Sequence, residues 1–281
     1  MMRPPSVPTV LSFQSRVAAG HVGSAAASPV LQMLGCEVIE VPTVILSAHP
    51  GHGRPGGGAL PAALLDGIVD GLERVGRLDG IDGVIVGYLG TVENGAVAAR
   101  AVERVRARNP KTSVLVDPVI GDRDGGRYVA DGILECFRDR LIPLADIVKP
   151  NHFELEALTG RPVATLDEAA GALEALKVPF PLVTSLDWGG DLATLALIGG
   201  RRLMARTKPV ALPPHGLGDT LAAVLMAHLV RGLAAEAALA RAIGAVEALI
   251  GASRALGLDE LPLVAAAPLV THGPPRPLVP V

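Results

Sequence analysis

Short runs rich in Val, Ile and Leu alternate along the chain with stretches in which apolar residues recur every three to four positions. The runs at 9–14, 37–41, 83–86, 113–116 and 146–149 predict strands, and two or three more are expected between Pro181 and Met204. Helical spacing predicts helices over 25–34, 61–75, 94–108, 132–140, 152–158, 166–176, 219–231 and 234–256. The early strands are continuously apolar rather than alternating, which predicts burial on both faces. Such strands separated by helices imply an α/β protein with a mostly parallel central sheet covered on both sides. Gly35 and Asn109-Pro110 stop helices, and Trp188-Gly189-Gly190-Asp191 predicts a turn between late strands, hence an antiparallel edge. Residues 48–58 are too rich in Gly and Pro for regular structure; a lid or binding loop and a plain flexible connection both fit. The Pro-rich tail, 267–281, is expected to lie extended on the surface or to be disordered. No linker or repeat interrupts the pattern, so residues 1–281 read as one domain with its core at 9–255.

Composition narrows the classes. Of 281 residues, 49% are hydrophobic but only 2% aromatic, so aliphatic side chains must build the core. Few aromatic platforms and a net charge of −3 argue against nucleic acid as a partner. The basic stretch 100–111 has helical spacing and reads as a solvated helix face. Cys36 and Cys136 lie in apolar segments and read as buried free thiols. The Pro-rich N-terminus, 1–8, has no apolar core of signal-peptide length, and no run reaches the roughly 18 apolar residues of a membrane span. A cytoplasmic protein is expected.

In an open parallel sheet, ligands bind beyond the carboxyl ends of the strands. The first strand leads into Ser15 and then Gly20-His21-Val22-Gly23 at a helix start, where glycines permit close backbone approach or simply a tight turn. The third ends in Gly87-Tyr88-Leu89-Gly90; Tyr88 suits either a flat ring or the core. The fourth ends in Asp117-Pro118-Val119-Ile120-Gly121-Asp122. A carboxylate emerging from a buried strand calls for a partner, either a magnesium ion or a cationic side chain. The fifth leads to Lys149-Pro150-Asn151-His152-Phe153-Glu154. Asn151 and Glu154 share a face, as a capping box or as groups facing metal and phosphate. Gly216-Leu217-Gly218-Asp219 opens a long apolar helix. Unpaired amides at a helix start attract anions, and glycines let them converge. Asp219 there suits an N-cap, or a general base beside a hole for phosphate. His49 and His52 are three apart, but no third or fourth zinc ligand follows with the usual spacing.

Taken in order, these pieces resemble the ribokinase-like superfamily, and within it the pyridoxal kinases. Gly216-Leu217-Gly218-Asp219 is similar to the superfamily's G-x-G-D motif, and Asn151-His152-Phe153-Glu154 after Pro150 to its N-x-x-E motif. Ser12-Phe13-Gln14-Ser15 with Gly20–Gly23, Gly87–Gly90, Asp117–Asp122 and Leu144-Ala145-Asp146-Ile147 resemble the pyridoxal kinase branch. The resemblance implies a three-layer α/β/α sandwich and transfer of phosphate from ATP to the 5′-hydroxyl of pyridoxal. It implies Asp219 as base and the amides of Gly216, Leu217 and Gly218 as anion hole. Asp117 and Glu154 would attend Mg²⁺, with Asp122, Asn151, Glu154, Thr184 and Ser185 along ATP. Ser15, Val22, Tyr88 and Asp219 would line the pyridoxal pocket, with Tyr128 closing over it. A homodimer is implied, no membrane or nucleic-acid partner is, and a monovalent cation comes into consideration. The chain departs from the branch at Ile45 and Pro50, where Gln and the ring-contacting Thr are usual, at Leu217, and at Lys149, which replaces a small or hydroxyl residue. Hydroxymethylpyrimidine is the rival substrate, although that branch more often carries Cys where Asp219 stands. A catalytically weak vitamin-binding protein on the same fold is the alternative of another class.

Overall fold

The computed structural model describes residues 7–281; most of the Pro-rich stretch 1–8 lies outside the described residues. In chain order the elements are β1 Thr9–Phe13, β2 Arg16–Val17, α1 Ser24–Met33, β3 Glu37–Glu40, β4 Val44–Leu46, β5 Gly57–Ala59, α2 Ala62–Arg74, β6 Gly83–Val86 and α3 Val92–Arg108. There follow β7 Ser113–Val116, β8 Gly121–Asp122, β9 Gly126–Arg127, α4 Ile133–Cys136, β10 Ile147–Val148, α5 His152–Thr159 and α6 Leu166–Ala175. The last are β11 Phe180–Trp188, β12 Asp191–Ile198, β13 Arg201–Thr207, α7 Leu217–Val230, α8 Ala235–Leu256, α9 Ala267–His272 and β14 Val279–Pro280.

Nine strands form one sheet in the order β14-β13-β12-β11-β10-β7-β6-β1-β3. The six from β3 to β11 run parallel, and β12, β13 and β14 add antiparallel pairs. The apolar runs reflect burial on two faces. Val10, Ile85, Leu115 and Ile147 point into a core shared with α1, α7 and α8. Their neighbours Leu11, Val84, Val86, Val114, Val116 and Val148 point into a second core under α2 and α3. A third cluster seats α5 and α6 on β11 and β12. With side chains alternating along a strand, only a continuous apolar run fills both layers. The result is the expected α/β/α sandwich. Gly189 and Gly190, both at positive φ, make the two-residue turn between β11 and β12 that type I′ hairpins require.

Some expectations are corrected. The strand at 37–41 is not buried on both faces: β3 is the sheet's edge, and only Val41 beyond it is buried. The helix expected at 132–140 is one α-turn followed by a π-turn over Phe137–Leu141. Residues 48–58 do contain regular structure, a 3₁₀ turn at Pro50–His52 and strand β5, which pairs with β4. The tail is neither merely extended nor disordered, for it forms α9 and edge strand β14. The basic face of α3 is exposed as expected, and it also forms surface ion pairs. Arg100, Arg104 and Arg108 reach Asp66, Asp70 and Glu73 on α2. Both cysteines are buried and neither is in a disulfide. No described helix is long and apolar enough to cross a membrane.

The chain steps from β1 outward to β3 and then returns to the other side of β1 for β6. That reversal opens a crevice at the strands' carboxyl ends, where β1, β6, β7 and β10 deliver Ser15, Tyr88, Asp117 and Lys149.

Candidate active site

Asp219 occupies the first turn of α7, partly buried, beside an exposed Gly218. The turn's first amides have no acceptor within the helix, and the hydrogen-bond ladder begins with Thr220 N–H to Gly216 O at 3.0 Å. Gly216 caps the helix at φ 85°, and a Cβ there would lie 1.9 Å from His21 O. Only glycine tolerates both the conformation and the contact. Across the crevice, Gly23 N–H donates to Asp219 Oδ2 at 2.8 Å. Gly23 itself sits at φ 56°, where a Cβ would lie 2.1 Å from Ser15 O. The glycines of the first junction therefore dock that junction onto α7.

Asp117 has its partner in Lys149: Nζ lies 2.9 Å from Oδ2, with the side chains 4% and 6% exposed. The pair abuts the mouth of α7, since a Cβ on Gly218 would lie 3.5 Å from Lys149 Nζ and 3.8 Å from Asp117 Oδ2. Glu154, 3% exposed, accepts Ile120 N–H through Oε1 at 3.0 Å and Asn151 N–H through Oε2 at 2.7 Å. Asn151 Oδ1 returns a bond to Glu154 N–H at 2.9 Å, and its Nδ2 donates to Gly121 O. The capping box is thus fully formed, and it fixes both side chains at the crevice floor.

Three carboxylates and one ammonium share this space. Burial, then the charge of Asp117, pushes Asp219 up to about 6 and Glu154 up to about 8. Burial opposes the charge on Lys149, but Asp117, Glu154 and Asp219 outweigh it and raise its pKa. Tyr128 follows β9 at the rim, 50% exposed. Burial, then Glu154, Asp122, Asp117 and Asp219, raises its hydroxyl pKa, so it faces the same acidic space. Asp122 lies farther out, its carboxylate bonded to Gly125 N–H in the β8–β9 hairpin. Thr184 and Ser185 sit at an irregularity of β11 beside Asn151, with Thr184 N–H on Pro150 O and Ser185 at φ 56°. Ser15 lies against Gly23, and hence near Asp219; Val22 is 9% exposed, and Tyr88, just beyond β6, is half-buried.

Two features escaped the sequence reading. Asn94 on α3 is fully buried, and its Nδ2 lies 3.1 to 3.2 Å from the carbonyls of Thr43, Leu60 and Leu89. It ties the turn that carries Tyr88 to the segments flanking β4 and β5. Its one signal was an amide on the apolar side of a helix. The second is a histidine cluster: the rings of His49 and His215 are 3.8 Å apart, and His52 Nε2 lies 3.3 Å from Glu260 Oε1. It holds the Gly-rich loop against the mouth of α7. Burial, then His215 and His52, lowers the pKa of His49 to about 4. Among the described residues no group of three or more His, Cys, Asp or Glu is arranged to hold a metal by itself.

A family model described as phosphomethylpyrimidine kinase matches residues 72–263. The pyridoxal kinase PdxY of Rubrobacter xylanophilus is 39% identical over 275 residues, 95% of either chain. The crystal structure of pyridoxal kinase from Entamoeba histolytica superposes with a TM-score of 0.91 at 26% identity, covering 98% of this chain and 100% of that one. Pyridoxal kinase from Leishmania donovani in complex with ADP and pyridoxamine gives a TM-score of 0.90 at 27% identity, covering 97% and 99%. The relatives cover nearly the whole chain, and the chain belongs to the pyridoxal kinases of the ribokinase-like superfamily.

Proposed function

We propose that this kinase transfers the γ-phosphoryl group of ATP to the 5′-hydroxyl of pyridoxal, giving pyridoxal 5′-phosphate. One observation carries the reading: a carboxylate and a set of helix-start amides meet at Asp219, so proton acceptor and anion hole lie in one place. With a pKa near 6, Asp219 is ionised at neutral pH yet basic enough to take a proton in the transition state. The Gly216, Leu217 and Gly218 amides receive the moving phosphoryl group. Ser15, Val22 and Tyr88 hold the pyridoxal ring, and Tyr128 closes over it. Asn151, Glu154, Thr184, Ser185 and, at the rim, Asp122 line the path of ATP. The Leishmania protein's complex with ADP and pyridoxamine supports both co-substrates.

Asp117 and Glu154 fit Mg²⁺ as outer partners. Both oxygens of Glu154 already accept amides, and Asp117 Oδ2 is paired with Lys149. A metal held mainly by phosphate oxygens and water, with these carboxylates behind the water, suits magnesium. When bound, it neutralises phosphate charge. The whole chain acts as one kinase domain, cytoplasmic and homodimeric. A monovalent cation is a further candidate beside the phosphates.

The test is ADP release with pyridoxal, pyridoxine and hydroxymethylpyrimidine in turn. Turnover of pyridoxal is expected to exceed that of hydroxymethylpyrimidine. The reverse order would favour the second reading, to which the family model's description points. Binding without turnover would favour a vitamin-binding protein. Asp219→Asn is expected to lower kcat by roughly 10² to 10⁴; an unchanged rate would refute the assignment of the base.

A further inference from the structure

Lys149 is a buried cation beside the mouth of α7. It leaves the carboxyl end of β10, its own N–H still bonded to Val116 O at 3.0 Å, and is 4% exposed. Burying an ion pair seldom stabilises a fold more than an apolar pair of the same volume. The pair with Asp117 therefore points to a use for the charge. An ammonium has three donors, and Asp117 is the one partner of Lys149 Nζ among the described residues. Nζ stands at the first turn of α7, where a Cβ on Gly218 would lie 3.5 Å from it.

We infer that Lys149 is a further catalytic residue, a tethered cation that completes the anion hole and binds the oxygens of the transferring phosphoryl group. This rests on the kinase reading above. In the transfer, the substrate hydroxyl oxygen forms a bond to the γ-phosphorus. The bond from that phosphorus to the bridging oxygen breaks, and its electron pair stays on ADP. The hydroxyl proton goes to Asp219, and Lys149 keeps its own proton throughout. Asp117 is the positioning residue that holds Nζ at the hole. A lysine held this way adds charge that three backbone amides lack, and it does so before any metal arrives.

The experiment compares the unsubstituted chain with Lys149→Met, Lys149→Arg and the double variant Asp117→Asn/Lys149→Met. It reads kcat and KM for pyridoxal, melting temperature, and calorimetric affinity for ATP and for ADP without divalent metal. Loss of a hole donor is expected to lower kcat by roughly 10²-fold while KM for pyridoxal stays within about twofold. ATP affinity is expected to fall by about tenfold with ADP affinity unchanged, because only ATP carries the group that Lys149 binds. Lys149→Arg should recover part of the preference for ATP. The double variant removes the buried unpaired carboxylate, so it should melt like the unsubstituted chain and yet still lack the preference for ATP without metal. Return of the metal-free preference for ATP in the double variant, or an unaltered ATP-to-ADP ratio in Lys149→Met, would overturn the inference and leave Lys149 as a counter-ion to Asp117. If the unsubstituted chain phosphorylates no ring alcohol, the proposed substrate falls, while the ATP-to-ADP ratio still decides the role of Lys149.

Discussion

The surroundings of Asp219 change how readily it holds a proton. A carboxyl held at about 6 by burial and by Asp117 is more readily protonated folded than unfolded between pH 3.8 and 6. Its contribution to stability is therefore full below pH 3.8 and is lost as pH rises through about 6. Asp219→Asn keeps an acceptor for the Gly23 amide. It is expected to be more stable than the unsubstituted chain at pH 8 by about 1–2 kcal/mol, allowing for solvent screening. Most of that margin should be gone near pH 4, and chemical denaturation at the two pH values measures it. The rate of the unsubstituted enzyme should fall as pH drops below about 6, where the base becomes protonated, in a kcat–pH profile. Gly216 is the other decisive residue. Gly216→Ala puts a methyl 1.9 Å from His21 O at a positive φ, so the helix mouth must shift. Activity is expected to drop by more than tenfold, with a lower melting temperature in a thermal shift assay. The G-x-G-D pattern made these two residues legible in the sequence. Lys149 was legible only as a departure, because its partner Asp117 lies 32 positions away and meets it through the register of β7 and β10.

At the level of elements, the site is a set of strand ends and helix starts held by buried polar side chains. The capping box of α5 shows how a motif serves two roles: Asn151 and Glu154 satisfy the helix start and in doing so are fixed at the crevice. Sequence alone left those roles as alternatives, since spacing is the same for both. Asn94 acts across elements. Asn94→Ala removes the side-chain donor shared by the carbonyls of Thr43, Leu60 and Leu89, of which Thr43 O keeps the Leu60 N–H, and is expected to cost about 2–3 kcal/mol in urea unfolding. The turn with Tyr88 should loosen with it, raising KM for pyridoxal more than it lowers kcat. The Gly-rich loop took on structure for a reason outside itself. β4 gives β5 a strand to pair with, and His215 and Glu260 receive the loop's histidines.

For the whole molecule, the sheet carries parallel strands that build the crevice and an antiparallel edge closed by the tail. The tail crosses α8 at Gly244, where a Cβ would lie 2.0 Å from Pro274 O, and Arg276 N–H reaches Ala240 O at 2.8 Å. Val279 and Pro280 then pair with Met204 and Leu203 on β13. Gly244→Ala is expected to displace this crossing and lower the melting temperature by several degrees. Amide exchange in β13 should quicken while kcat stays within about twofold, because the crossing is remote from the crevice. Proline content pointed to an unstructured tail, yet Pro280 needs no donor of its own at a sheet edge.

The sequence by itself determined the layers, because a strand buried on two faces must be apolar throughout and a helix on a sheet must be apolar on one side. It also marked out the proposed anion hole and base, because Gly216-Leu217-Gly218-Asp219 confines both to four consecutive residues. Only the tertiary structure decided what each charge meets: Lys149 at Asp117, Gly23 at Asp219, the loop's histidines at His215 and Glu260. The physical reason is that these partners are far apart in sequence. Periodicity fixes which way a side chain points along its own element, whereas register and crossing between elements fix what stands opposite.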